Sequence, residues 1–467
     1  MLTPKSLFTP TGRVTAFWRN KGSFMVPFAD VATPELPLAR LLRLALFQLT
    51  VGLSAALIIG TLNRVMIVEL HLAAWLVSLM ISLPLVLAPA RAFIGYKSDQ
   101  HQSAFGWKRL PYIWFGTLMQ FGGLAIMPFA LIVLSGDSNA PHFVGPLAAA
   151  LAFLLVGAGM HTTQTAGLAL ATDMAPEAAR PRVVGMLCVM LLAGIMAGAL
   201  GYGALLHHFS ELRLIQVVQG SAVLTMLLNG FALWKQEPRR ASTLKMPVAQ
   251  PNLHAALTSF LAQPKSIRRL VTIGIGTMGL SMQDILLEPY GGQVLHLTVG
   301  QTTSLTAALA GGGICGLAFA KYRLSAGADP YRIAALGILA GLLAFASVLF
   351  SAPLSAPVLF GLGVFGIGLA GGLFLVGTLS DAMARAVDGM SGLALGTWGS
   401  VQAVAAGAAI AFGGFLRDFV GGSDASGYDA VYLLEIALLF VTLIALGPLV
   451  RRRTAVTLKT LSPAMKV

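Results

Sequence analysis

The chain has 467 residues, 56% of them hydrophobic and only 10% charged. Soluble globular proteins carry about 25% charged residues, so this composition excludes an ordinary soluble enzyme or binding module and points to a polytopic membrane protein. A net charge of +13 would raise nucleic acid as a partner for a soluble chain. Here the cationic residues track the loops between apolar runs, so they are topology signals and nucleic acid is set aside.

Residues 1–40 interleave Phe17, Trp18, Phe24, Met25 and Phe28 with Arg13, Arg19 and Lys21, the pattern of an interfacial segment on an anionic leaflet or of a solvated cytoplasmic tail. No cleavable signal peptide is visible, and the first apolar run, from Leu41, is long enough to span. A crossing helix needs about 20 apolar residues. Twelve segments qualify: 41–63, 72–94, 112–135, 145–171, 183–206, 214–234, 268–288, 300–320, 331–351, 356–379, 391–415 and 430–450. With both termini cytoplasmic, only Arg64, Arg213 and Arg417 of the 31 Lys and Arg residues fall on the outer side, which is the asymmetry that orients membrane helices. The Pro-rich, basic connector 235–267 lies near the middle of the chain and divides it into bundles 41–234 and 268–450, followed by a basic tail, 451–467.

Order-preserving echoes relate the two parts. Leu70-His71-Leu72 reappears as Leu295-His296-Leu297, Pro111-Tyr112 as Pro330-Tyr331, and Asp173 as Asp381. Between the second and third runs, a basic loop carries Gly95, Asp99, Gly106, Lys108 and Arg109, and resembles a lengthened form of the helix 2–3 loop motif of the major facilitator superfamily. Together these predict an all-α, major-facilitator-like protein with 12 transmembrane helices in two pseudo-symmetric six-helix halves.

Longer runs resemble a narrower group. GTLNRVMIVEL (60–70), AWLVSLMISLPLVLAP (74–89), IGYKSDQHQSAFGWKRLPYIWFGTLMQFGG (94–123), IMPFALIVLSG (126–136), ATDMAPEAARPRVVGM (171–186) and QDILLEPYGGQVLHL (283–297) are similar to the PucC/LhaA family of purple phototrophic bacteria. The resemblance implies a non-enzymatic assembly factor for light-harvesting antenna complexes, delivering bacteriochlorophyll to antenna polypeptides or chaperoning them in the intracytoplasmic inner membrane. It implies bacteriochlorophyll, and carotenoid beside it, as cargo, and antenna polypeptides and pigment-biosynthesis enzymes as partners.

Bacteriochlorophyll magnesium takes one axial ligand, so the residues of interest are lone-pair donors inside apolar spans. His161 sits mid-helix between small residues, with Gly157 and Gly159 expected to open space for a flat ring; Gln164 lies nearly one turn on. The bland alternative is a histidine hydrogen-bonded within the bundle. Asp284 and Glu288 are four residues apart on one face of the seventh helix, and Pro289 with Gly291-Gly292 suggests that this helix ends at Glu288, where water reaches it. Gln120 and Gln283 could reach a ligand or bridge helices. His71 and His296 are candidates at the outer leaflet or plain interface histidines, and Arg64 and Glu69 form an exposed pair after the first helix. On the inner side Asp99, Lys108, Arg109, Asp173, Glu177, Arg180 and Arg182 form a candidate loop latch, or headgroup anchors. Cys188 and Cys315 read as small packing residues. No phosphate loop, triad, zinc or haem spacing is present, which leaves no specific enzymatic reading. The few polar groups in the spans favour an apolar ligand; the competing reading is a conventional secondary transporter, proton-coupled through Asp284.

Overall fold

The computed structural model describes residues 37–86, 107–135, 143–176, 180–237, 261–384, 391–421 and 425–450, with the isolated positions 88, 89, 94, 98 and 141. Among these residues it is all-helical, with 11 helices long and apolar enough to cross a membrane and one shorter apolar helix, Ala74–Leu85. In chain order they are α1 (Leu38–Glu69), α2 (Ala74–Val86), α3 (Leu110–Leu134), α4 (Val144–Met174), α5 (Arg180–Leu205), α6 (Glu211–Leu233), α7 (Ser266–Gln293), α8 (Val299–Ser325), α9 (Pro330–Ser351), α10 (Pro357–Ala384), α11 (Ser391–Val420) and α12 (Ala425–Leu446).

Local chemistry sets the helix starts. At α8, Thr298 accepts from the Gln301 N–H at 3.3 Å while the Gln301 side chain reaches back to the Thr298 N–H at 3.0 Å, a capping box. At α9, Asp329 accepts from the N–H groups of Tyr331 (2.8 Å) and Arg332 (3.2 Å), and Pro330 occupies the position where its missing N–H costs nothing. At α6, Ser210 caps the Arg213 N–H.

The helix pairings repeat along the chain. α3 packs on α4 as α9 does on α10; α1 packs on α5 and α6 as α7 does on α11 and α12; α3 meets α6 as α9 meets α12. The most extensive pairings between the groups are α2 with α11 and α5 with α8, which correspond when each helix is matched to the one six places away. Small residues permit the closest approaches. A Cβ on Gly312 or Gly368 would run into the backbone carbonyl of Phe365 or Leu309, so α8 and α10 touch main chain to main chain. Gly371 has open space instead and plays no part in this contact.

The sequence echoes acquire structural meaning. His71 and His296 both adopt left-handed backbone, φ 53° each. Both follow a helix end closed by a bond six residues back, Leu72 N–H to Met66 O (3.0 Å) and Leu297 N–H to Gly291 O (2.9 Å). The echo of Pro-Tyr and Asp is likewise physical: the Tyr331 hydroxyl donates to Asp381 at 2.7 Å.

Several expectations are corrected. α1 does not stop at residue 63; it continues through π-helical turns Ala56–Leu62 and Val65–Glu69, so Asn63 and Arg64 lie inside the bundle. α7 does not end at Glu288. It breaks earlier, in a 3-10 turn at Met282–Ile285, and resumes as Leu287–Gln293, because the Pro289 ring is accommodated in the first turn of the resumed helix. Cys315 is exposed on the helical surface rather than packed; Cys188 is half-buried. The N-terminal segment to residue 36, most of the connector (238–260) and the tail from 451 lie outside the described residues.

Candidate functional site

Polar side chains inside the bundle gather into separate groups. The first joins α1, α3, α4 and α6 without any charge. Asn229 accepts from Thr50 (2.7 Å) and donates to Thr117 (2.9 Å); Gln120 donates to Thr163 (2.9 Å) and accepts from Ser54 (3.5 Å). Gln120 is thereby engaged at both ends in helix-to-helix bonds, which is the bridging reading. Gln164 donates to Gln48 of α1 at 3.4 Å, and His161, three residues earlier on α4, shares that stripe. Both are half-buried, so both remain reachable. The space expected beside His161 is already filled: a Cβ on Gly157 would strike Pro84 of α2, and one on Gly159 would strike the α3 backbone at Gln120. These glycines serve helix crossing, and a flat ring would have to lie along the His161–Gln164 stripe instead. Gln48, buried in α1, was not singled out in the sequence; a lone glutamine in an apolar run was its signal.

The second group closes the face opposite the basic loops. Arg64 is 4% exposed, not a surface residue, and it pairs with Glu69. It also reaches the Leu297 carbonyl (3.5 Å) and lies under Gly292 of α7. Asn63 donates to the Ile285 carbonyl (2.5 Å), a backbone group freed by the α7 break. Glu288 is also 4% exposed, accepts from Thr306 of α8, and sits close enough to Arg64 to feel its charge. Arg417 of α11, missed in the sequence because it was counted as a loop cation, is equally buried. It donates to Gln293 (2.8 Å), stacks over Tyr428 at 4.8 Å, and pairs with Asp418, which accepts from the Trp75 N–H of α2 (2.8 Å). Two of the three arginines assigned to the outer side therefore lock α1, α2, α7, α11 and α12 together.

The third group surrounds the α7 break. Asp284 and Glu288 no longer share an environment, because the tighter 3-10 turn between them rotates the i, i+4 register. Asp284 accepts from the Gln283 side chain, and the Gln283 N–H is capped at 2.8 Å by Glu435 of α12. Glu435 went unremarked in the sequence, although a lone acid in YLLEIALLF is an intramembrane ionisable group and so a site candidate by default.

On the basic face, Arg109 joins Asp173 (3.2 Å) and Ser98 (2.5 Å), a contact of α3 with α4 within the first six helices. The start of α3 is held by Glu237, just past α6, whose carboxylate accepts from the N–H groups of Lys108 (2.8 Å), Arg109 (3.1 Å) and Leu110 (2.9 Å). Arg182 is exposed. Asp99, Glu177 and the side chain of Arg180 lie outside the described residues. Glu237→Ala is expected to lower stability by about 1–2 kcal/mol, the worth of a helix cap, with Glu237→Gln losing less; thermal unfolding in detergent reads both.

His71 and His296 are exposed and hold the left-handed helix ends. Left-handed backbone costs a side-chain-bearing residue roughly 1–2 kcal/mol, so His71→Gly and His296→Gly are expected to fold at least as well as the wild type. A pigment ligand at either place would instead show as lost pigment in that variant.

A family model described as PUCC protein matches residues 61–454. Protein PucC of Rhodovulum sulfidophilum is 53% identical over 405 residues, covering 85% of this chain and 89% of that protein. A protein described as an uncharacterized protein in the puhA-bchM intergenic region of Rhodobacter capsulatus is 51% identical over 439 residues, covering 91% and 92%. Among solved structures, a mutant form of the nucleoside transporter NupG aligns with a TM-score of 0.68 at 14% identity, covering 88% of this chain and 100% of that one, a likeness of fold.

Proposed function

Because the chain belongs to the PUCC protein family, we propose that it is an assembly factor for bacterial light-harvesting antenna complexes, carrying bacteriochlorophyll to antenna polypeptides and chaperoning their insertion. It acts as a non-enzymatic, multi-pass protein of the inner membrane. Its two six-helix bundles, 41–234 and 268–450, are joined by the 235–267 linker, and its basic face and both termini are cytoplasmic. Carotenoid and pigment-biosynthesis enzymes belong to the same assembly pathway.

The observation that carries the pigment reading is the half-buried His161–Gln164 stripe, set among uncharged polar groups in an otherwise apolar bundle. Histidine and glutamine are both side-chain types that can ligate a chlorin magnesium, which supplies the light-absorbing chemistry once seated in the antenna. What the chain does is hold the macrocycle out of water and orient it. Gln48 positions Gln164 from α1. The stripe carries no Asp, Glu, Lys or Arg, as an apolar ligand requires.

Deleting the gene in a phototrophic host tests this. Loss of antenna absorption while free bacteriochlorophyll is still made is expected; normal antenna levels would contradict it. A second reading, a conventional coupled secondary transporter, is favoured by the fold likeness and by the acids around the α7 break. It requires uptake of a soluble substrate that collapses with the ion gradient.

A further inference from the structure

We propose that the α7 break is a binding site for a monovalent, sodium-sized cation, held by Asp284, Glu435 and the side-chain oxygen of Gln283. The inference stands apart from the pigment reading and uses different helices.

The break places acceptors together and leaves one oxygen of Glu435 and the side-chain oxygen of Gln283 without a donor. Glu435 is 0% exposed; one carboxylate oxygen caps the Gln283 N–H at 2.8 Å and the other has no hydrogen-bond partner. The Gln283 amide donates to Asp284 and to the Leu280 carbonyl (3.0 Å). Two acceptors on that side fix the amide orientation, so the other end is the oxygen, which is buried and also unpartnered. Asp284 lies close enough to Glu435 for their charges to repel. Among the described residues no Lys, Arg or His pairs with either acid; Arg64 serves Glu69 and Glu288, and Arg417 serves Asp418 and Gln293. Tyr432, one turn before Glu435, brings a buried hydroxyl that is also without a partner.

Two carboxylates and an amide oxygen close together in apolar surroundings with no positive group are costly until a proton or a cation neutralises them. Interrupted membrane helices meet that need elsewhere, since the turn frees backbone carbonyls as further ligands. The donor set is all oxygen, which suits a hard cation; two adjacent buried carboxylates share one proton, so the site carries a single negative charge, which matches a monovalent ion better than a divalent one. An ion seated here ties α7 to α12, so its binding stabilises the folded protein.

The test is thermal unfolding of the purified full chain in detergent, titrating sodium chloride against choline chloride at constant ionic strength and pH. A saturable rise of several degrees with sodium is expected, smaller with potassium, and absent in Glu435→Gln, which retains the oxygen that caps Gln283. Asp284→Asn, at a half-buried position, is the second variant should Glu435→Gln fail to fold. Equal unfolding temperatures in sodium and choline would overturn the site, as would a sodium response surviving in Asp284→Asn or Glu435→Gln, or stability that follows pH but not sodium.

Discussion

Arg64→Ala is expected to cost about 3–5 kcal/mol of stability, the size of effect seen when one partner of a buried ion pair is removed. Arg64 is buried between α1 and α7, pairs with Glu69, and is the cation nearest to the buried Glu288. Its loss leaves Glu288 with only the neutral hydroxyls of Thr306 and Thr303, in a place where an uncompensated carboxylate has no water to turn to. Thermal unfolding in detergent measures the loss. Adding Glu288→Gln to Arg64→Ala should recover part of it, since the second substitution removes the orphaned charge. Simple additivity of the two changes would show that the groups are uncoupled. Lysine at 64 should not restore the wild type, because it cannot reach Glu69 and the Leu297 carbonyl at once.

The second large effect falls at the α8–α10 crossing. Gly368→Leu places a side chain against the Leu309 carbonyl, and neither backbone can yield without separating the helices. Overpacking a well-filled core costs about 1–3 kcal/mol, and more where main chain must move, so little folded protein should be recovered. Gly371→Leu, three residues on in the same helix, meets nothing and should fold normally. The recovered monomer peak in size-exclusion chromatography separates the two; similar behaviour of both variants would mean that α8 and α10 do not touch as described.

The architecture was legible because a bilayer demands long apolar runs and orients them by loop charge, and both properties are local in sequence. The repeat was legible for a related reason: the LHL tripeptides end helices in left-handed backbone at both His71 and His296, so that echo marks a structural job done twice, and Tyr331 of the Pro-Tyr echo bonds Asp381. The site was only partly legible. Gly157 and Gly159 suggested room for a ring, yet Pro84 and the α3 backbone occupy it, and sequence does not tell an open glycine from a crowded one. Arg64 and Arg417 lay at the ends of apolar runs and read as loop cations; they are buried because α1 extends in π-helical form and α11 packs against α2 and α7. The α7 break was misplaced because Pro289 is the visible breaker, whereas the turn at Met282–Ile285 is held from another helix, by Glu435, which no local pattern announces.

Pigment handling at the His161–Gln164 stripe is the central claim, and its most direct test is the absorption spectrum of the protein purified in mild detergent from a phototrophic host, wild type beside His161→Ala. Near-infrared bacteriochlorophyll bands in the wild type are expected, reduced in the variant while its unfolding temperature is unchanged. A wild type without bacteriochlorophyll, both alone and when isolated together with antenna polypeptides, would contradict it.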